Sequence, residues 1–127
     1  MPTPRFTMVV LLVASLARSV PFYRLLGVEF PDGAEDRTDV VVSIGGGHQL
    51  VLSTTFAQND LERVQPSGGS KVMLEFFVDG NAAVDATYAD LVAAGHHSRR
   101  APFTTNFNAY MAIVDDPDGN GVLITAG

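Results

Sequence analysis

The stretch FTMVVLLVASLARSVPFYRLLG, residues 6–27, joins a short apolar run to a segment with helical spacing. Residues 6–13 are rich in Val and Leu and too few for a buried helix, so they predict a strand. Ser15 stands at the N-cap position, and Gly27 supplies the stop of the helix that follows. Pro21 removes one backbone hydrogen bond and predicts a bend near the helix start. The stretch therefore predicts a strand followed by an amphipathic helix.

The same order begins again in KVMLEFFVDGNAAVDATYADLVAAG, residues 71–95. Three positions match at a constant offset of 65 residues, namely Met8 with Met73, Val13 with Val78, and Tyr23 with Tyr88. Coincidence between two generic strand–helix units is the alternative explanation. The shared order and a polar central segment favour a pseudo-repeat, whose halves are each too small to bury their own sheet face.

Further strands follow each helix, so that both halves are predicted as strand, helix, strand, strand, strand. A Gly45-Gly46-Gly47 hairpin turn joins two of them, and residues 107–114 form another strand. Asp116 and Asp118 are expected to hold the turn at residues 116–120 through side-chain hydrogen bonds to the backbone. The predicted organisation is one domain, 1–127, with module one at 5–56, a linker at 57–70 and module two at 71–127.

Composition excludes several classes of protein. The 127 residues include no cysteine, which rules out disulfides, thiolate metal sites and a cysteine nucleophile. A net charge of −6 is the opposite of what a nucleic-acid-binding protein requires. No apolar span reaches the roughly 20 residues that cross a bilayer, and Arg18 and Arg24 disfavour a signal peptide at residues 8–17. We therefore expect a cytoplasmic protein with no nucleic-acid or membrane partner.

Four segments resemble one known family. They are residues 13–27, LVAAG at 91–95, RAPF at 100–103, and AIVDDPDGN at 112–120. In this order they are similar to the glyoxalase/bleomycin-resistance/dioxygenase superfamily, also called the vicinal-oxygen-chelate superfamily. The resemblance implies an α+β fold of two βαβββ modules, whose curled mixed sheets surround a concave cavity. It also implies a homodimer, with modules paired either within or across chains.

The resemblance also implies where metal ligands would lie. Metal-dependent members carry a His, Gln or Glu on the first strand of each module, where this chain has Met8 and Met73. Their late carboxylate positions correspond to Leu123 and, less directly, to Val51. Two thioethers and two aliphatic side chains are a poor donor set for a divalent cation, so we expect no metal and no cofactor. The three histidines, which we expect at the solvent, do not supply an alternative: His48, His96 and His97.

Strand alternation then predicts a ligand site. If Met8 and Met73 face the cavity, Val10, Leu12, Glu75 and Phe77 do so too. Aromatic residues of the segment 102–110 supply flat surfaces, with Asn106 or Asn108 to orient polar groups. The predicted ligand-binding residues are Glu75, Phe77, Phe103, Phe107, Tyr110, Met8, Met73 and Leu123. The competing interpretations are a structural role for Glu75 and core or interface packing for the aromatics.

The leading functional hypothesis is metal-independent binding of a small molecule. Similarity to the metal-free drug-binding members favours sequestration of an aromatic or cationic natural product, as in antibiotic resistance, with no catalytic residue. A metal-free isomerase or lyase, with Glu75 as base and Tyr110 as proton donor, is the alternative. A metal-dependent glyoxalase or dioxygenase and a domain that binds only another protein are further alternatives.

Overall fold

The computed structural model describes residues 6–55 and 73–126. The chain separates into two compact units, one built mainly from residues 6–55 and the other mainly from residues 73–126. We call them module one and module two. The predicted linker at 57–70 lies outside the described residues. Both modules combine a mixed sheet with one α-helix, so the expected α+β architecture is observed.

Module one is a three-stranded sheet with order β1-β3-β2. Its elements are β1 (Met8–Leu12), α1 (Leu16–Leu25), a short 3-10 helix (Ala34–Asp36), β2 (Asp39–Gly45) and β3 (His48–Ser53). Strand β1 pairs parallel to β3, and β2 pairs antiparallel to β3. The predicted hairpin at residues 45–47 is confirmed, since all three glycines have positive φ, a conformation that glycine adopts without strain.

One predicted strand is missing from the described part of module one. Residues 28–30 form no ladder, because the chain closes instead onto the end of α1. The Val28 N–H donates to the Tyr23 carbonyl at 3.0 Å, and the Arg24 guanidinium donates to the Pro31 carbonyl and to Glu35. The first of these bonds occupies the Val28 N–H, a backbone group that a strand would need for pairing. Within residues 6–55, module one therefore contains three of the four predicted strands.

Module two is a four-stranded sheet with order β4-β7-β6-β5. Its elements are β4 (Leu74–Val78), α2 (Asn81–Ala93), β5 (Ser98–Thr104), β6 (Tyr110–Asp115) and β7 (Gly121–Ala126). Helix α2 packs on β5, β6 and β7. Val84 and Leu91 of the helix are fully buried, as are Val114, Val122 and Ile124 of the sheet. These side chains form the core of the module.

Helix α2 ends as its sequence predicts. Gly95 has φ +93°, and its N–H donates to the Val92 carbonyl at 3.0 Å. The next N–H, of His96, donates to the Leu91 carbonyl at 3.1 Å. This pair of bonds is the Schellman arrangement, in which a left-handed residue after the helix satisfies its last carbonyl groups. The bonds also aim the chain toward β5.

The turn between β6 and β7 depends on one buried carboxylate. Asp116 is only 4 % exposed. Its Oδ1 accepts the backbone N–H of Asp118 at 2.9 Å and that of Asn120 at 2.8 Å, while its Oδ2 accepts the Asn120 side-chain amide at 2.9 Å. The predicted role of Asp116 is therefore confirmed.

Replacing Asp116 with Ala should destabilise the protein by about 1–3 kcal/mol, because it leaves these donors without their acceptor. Urea unfolding of the variant, beside the exposed-site control Asp90→Ala on α2, measures the loss. An equal free energy of unfolding for the two variants would contradict this role of the turn.

A second carboxylate is held by hydroxyl groups in module one. Asp39 accepts hydrogen bonds from the side chains of Ser53, Thr38 and Thr55, and Ser53 is buried. Burial raises the pKa of Asp39, but these hydroxyl bonds together with the Thr55 backbone N–H outweigh it and leave the pKa below its ordinary value. The bonds tie the start of β2 to the end of β3.

This lowered pKa predicts a pH-dependent stability. A carboxyl whose pKa is lower in the folded state stabilises the protein above its unfolded pKa, about 4, and loses that contribution as the pH falls through the folded pKa. The wild type should therefore exceed Asp39→Asn in free energy of unfolding at neutral pH, and the two should converge in acid. Ser53→Ala should lose part of the same pH dependence. A wild-type advantage that stays constant with pH would contradict the assignment.

None of the described helices is both long enough and apolar enough to span a membrane.

Candidate functional site

Helix α2 covers one face of the module-two sheet, and we call the face opposite α2 the open face. On that face Glu75 and Phe77 are exposed, whereas Met111 and Thr125 are buried. Cα partners on neighbouring strands share a face, so the strand register sorts the side chains. One row across the open face consists of Glu75, Leu123, Ile113 and Arg100. The next row consists of Phe77, Thr125, Met111 and Phe103. A carboxylate and a guanidinium thus stand at opposite edges of a largely apolar surface.

An irregularity in β5 brings Arg100 and Phe103 onto this face together. Arg100 pairs with Ile113 and Phe103 with Met111, so three steps along β5 match two along β6. In a regular strand, residues three apart point to opposite faces. The extra residue is a β-bulge, and it returns Phe103 to the side of Arg100. The Arg100 Cζ lies 3.7 Å from the centre of the Phe103 ring.

An open depression lies at this edge of the sheet. Its volume is about 470 Å³, which falls within the range of small-molecule sites. It is lined by Arg100, Phe103, Thr104, Thr105, Asn106, Phe107 and Met111. Phe107 is 71 % exposed, whereas Phe103 is half-buried. The depression therefore presents the half-buried ring of Phe103, the exposed ring of Phe107, the guanidinium of Arg100 and several small polar groups.

A turn, rather than the predicted strand, presents Phe107. Strand β6 begins only at Tyr110, and Thr105 organises the residues before it. The Thr105 N–H donates to the Ala109 carbonyl at 2.8 Å, and its hydroxyl accepts the Ala109 N–H at 2.9 Å. Asn108 has φ +67°, which Asn tolerates better than most residues. Asn108 therefore shapes the turn, and Asn106 is the asparagine that lines the depression.

The other predicted site residues are distributed differently. Glu75, Phe77 and Leu123 lie on the open face, toward the β4 edge. Met73 precedes β4, and its methyl group lies so close to Gly121 that a Cβ there would approach within 2.9 Å. Met8 lies on β1 in module one, where it pairs with Gln49. Phe103 and Phe107 are the two members of the predicted set that line the depression.

Tyr110 does not share this surface. It pairs with Thr104 on the opposite side of the sheet from Phe103 and Met111, and its hydroxyl donates to Asp85 of α2 at 2.6 Å. That hydrogen bond is the main cause of a raised pKa for Tyr110, with smaller contributions from burial and from the charge of Asp85. The prediction that Tyr110 contributes to the ligand surface is therefore wrong, because its strand position turns it toward the helix.

Glu75 is a solvent-exposed acid rather than a buried one. Its Oε2 accepts the Thr125 hydroxyl at 3.2 Å. Tyr110, the expected proton donor, lies on the other face. The geometry therefore does not assemble the acid–base pair on which the metal-free enzyme hypothesis depends, whereas Glu75 remains available to a cation.

Comparison with known proteins identifies the family. The profile of the Glyoxalase/Bleomycin resistance protein/Dioxygenase superfamily matches residues 5–124. The chain belongs to this superfamily. No curated protein sequence matches it significantly.

Several solved structures share the superfamily fold with this chain. A family enzyme from Burkholderia phytofirmans PsJN has a TM-score of 0.79 at 22% identity, covering 94% of this chain and 96% of that one. A glyoxalase-related enzyme from Fulvimarina pelagi has a TM-score of 0.78 at 21% identity, with 98% and 89% covered. A lactoylglutathione lyase from Agrobacterium tumefaciens has a TM-score of 0.67 at 20% identity, with 99% and 96% covered. At these identities the likeness establishes the fold alone.

The positions that correspond to metal ligands in this superfamily do not fit a divalent cation. The two late positions, Val51 and Leu123, lie beside the first strand of their modules, where they pair with Val10 and Glu75, and both are aliphatic. Met8 and Met73 supply only thioethers, which favour soft metals. Within residues 6–55 and 73–126, no three His, Asp or Glu side chains are grouped as a metal site would require.

The histidines are only partly at the solvent. His97 is exposed, and its Nδ1 lies 2.9 Å from Asp115. His48 is half-buried beside Phe6, with 5.5 Å between ring centres. His96 is also half-buried. Burial lowers its pKa below the ordinary value, although the negative charge of Asp116 acts in the opposite direction. The expectation of three solvent-facing histidines therefore holds fully for His97 alone.

Sequence reasoning missed Arg100 and Met111 as lining residues. For Arg100, alternation counted from the predicted strands cannot locate the side chain, because the pairing is irregular within β5. The one available signal was the RAPF motif, in which a cation lies three residues before an aromatic.

Proposed function

We propose that the protein binds an aromatic small molecule on the open face of module two and sequesters it without chemical conversion. The observation that carries this proposal is the depression that Phe103 and Phe107 line, where flat apolar surfaces lie beside a few polar groups. The proposed binding is metal-independent, and the residues at the superfamily's ligand positions support this. The proposed biological role is retention of a natural product, as in antibiotic resistance.

The polar edge of the face supports a preference for ligands that also carry a positive charge. Glu75 is exposed at the β4 side, and a net charge of −6 favours the approach of cations. Phe77, which is 68 % exposed, lies in the neighbouring row on the same face. A ring with a cationic substituent therefore has complementary partners at the β4 edge of the face, outside the lining of the depression.

Thermal-shift measurements on chelator-treated full-length protein test the proposal. Naphthamide, a neutral planar probe, should raise the melting midpoint because it binds the native state, while Ni²⁺, Co²⁺, Mn²⁺ and Zn²⁺ should not. Phe107→Ser should lower the affinity for naphthamide by about tenfold, which is the loss expected for one aromatic contact. Phe6→Ser is the matched control, since Phe6 is 69 % exposed and does not line the depression. Strong stabilisation by a divalent metal, or equal effects of the two substitutions, would refute the proposal.

Replacing Glu75 with Gln tests the cationic preference separately. The variant should bind aminomethylnaphthalene, a cationic probe, several-fold more weakly and should bind naphthamide as the wild type does. Glu29→Gln, at another exposed position, removes the same charge and should leave both affinities unchanged. Calorimetric titration at two salt concentrations measures the difference, which should shrink at high salt. A loss of naphthamide binding in Glu75→Gln would instead indicate a structural role.

A further inference from the structure

No carboxylate of the described residues pairs with Arg100, unlike Arg24, His97 and Arg99. Arg24 pairs with Glu35, and both His97 and Arg99 pair with Asp115. Arg99 is adjacent to Arg100 and lies 2.6 Å from Asp115, whereas Arg100 does not pair with that carboxylate. In a chain with 14 acidic and 8 basic residues, a guanidinium without an acid beside it leaves an unbalanced positive charge at the depression.

The contact with Phe103 leaves the hydrogen-bonding edge of Arg100 available. A distance of 3.7 Å from Cζ to the ring centre is that of a guanidinium stacked flat on an aromatic face. Stacking uses the face of the guanidinium, whereas its N–H donors lie in its plane. The stack also restricts the side chain before a ligand arrives, which reduces the entropy lost on binding.

Among the described residues, the lining of the depression contains no acid that would repel an anion. Arg100 is its one charged member, and Thr104, Thr105 and Asn106 add neutral polar groups. Glu75 stands at the far edge of the sheet, three strand spacings or roughly 14 Å away. An anion at Arg100 and a cation at Glu75 are therefore compatible with each other.

We infer that the ligand of this depression is an aromatic carboxylic acid, whose carboxylate pairs with Arg100 while its ring lies against Phe107. This inference rests on the proposed function and names the class of ligand. A planar carboxylate matches the in-plane donors of one guanidinium and balances its single charge. A phosphate monoester carries close to two negative charges, for which the described lining residues offer no second cation.

The test compares naphthoate with naphthamide, two probes of the same shape that differ in charge. Calorimetric titration of the full-length protein should show about tenfold tighter binding of naphthoate, with a preference that falls as salt is added. Arg100→Gln should abolish the preference and leave naphthamide affinity within about twofold of the wild type. Arg100→Lys should retain part of it, because an ammonium keeps the charge but not the planar donor pair.

Arg37→Gln is the matched control, because it removes the same charge at an exposed position outside the depression and should leave the preference intact. Equal or tighter binding of naphthamide by the wild type would overturn the inference and leave the proposed function standing. A naphthoate preference that survives in Arg100→Gln would also overturn it. Failure of the wild type to bind either probe would overturn both proposals together.

Discussion

The pairing register of the module-two sheet is the constraint on which the rest of that module depends. Alternate residues of β6 and β7 are completely buried under α2, so a slip of one residue would turn Val114, Val122 and Ile124 outward. Asp116 prevents such a slip by closing the connection between the two strands with three hydrogen bonds. This register determines which side chains lie on the open face, because Cα partners on neighbouring strands share a face.

Much of the architecture could be predicted from sequence because it depends on local signals. The glycine hairpin, the helix stop at Gly95 and the Asp116 turn each rest on residues whose conformational or hydrogen-bonding properties are nearly unique. The candidate site was less predictable. The bulge in β5 cannot be recognised from the sequence, yet it places Arg100 and Phe103 on the same face. Similarly, the turn at Thr105 places Phe107 outside the predicted strand.

The two modules use equivalent positions for different purposes. Val10 and Val51 of module one form an aliphatic pair where module two has Glu75 and Leu123. Module one joins Asp39 to Ser53, a carboxylate satisfied by its own module, while the matching pair of module two is Met111 and Thr125. At these equivalent positions, module one thus uses polar groups to hold two strands together, whereas module two has Glu75 exposed on its sheet.

The parallel pairing of β4 with β7 has a consequence for the entropic cost of assembling the sheet. Strands β5, β6 and β7 follow one another through short connections, so their contacts form between residues that are near in the chain. Strand β4 is separated from β7 by the whole of α2, β5 and β6, and bringing the two together requires closing a long loop. The half of the open face that carries Glu75 and Phe77 therefore requires a costlier loop closure than the half that carries the Arg100 depression.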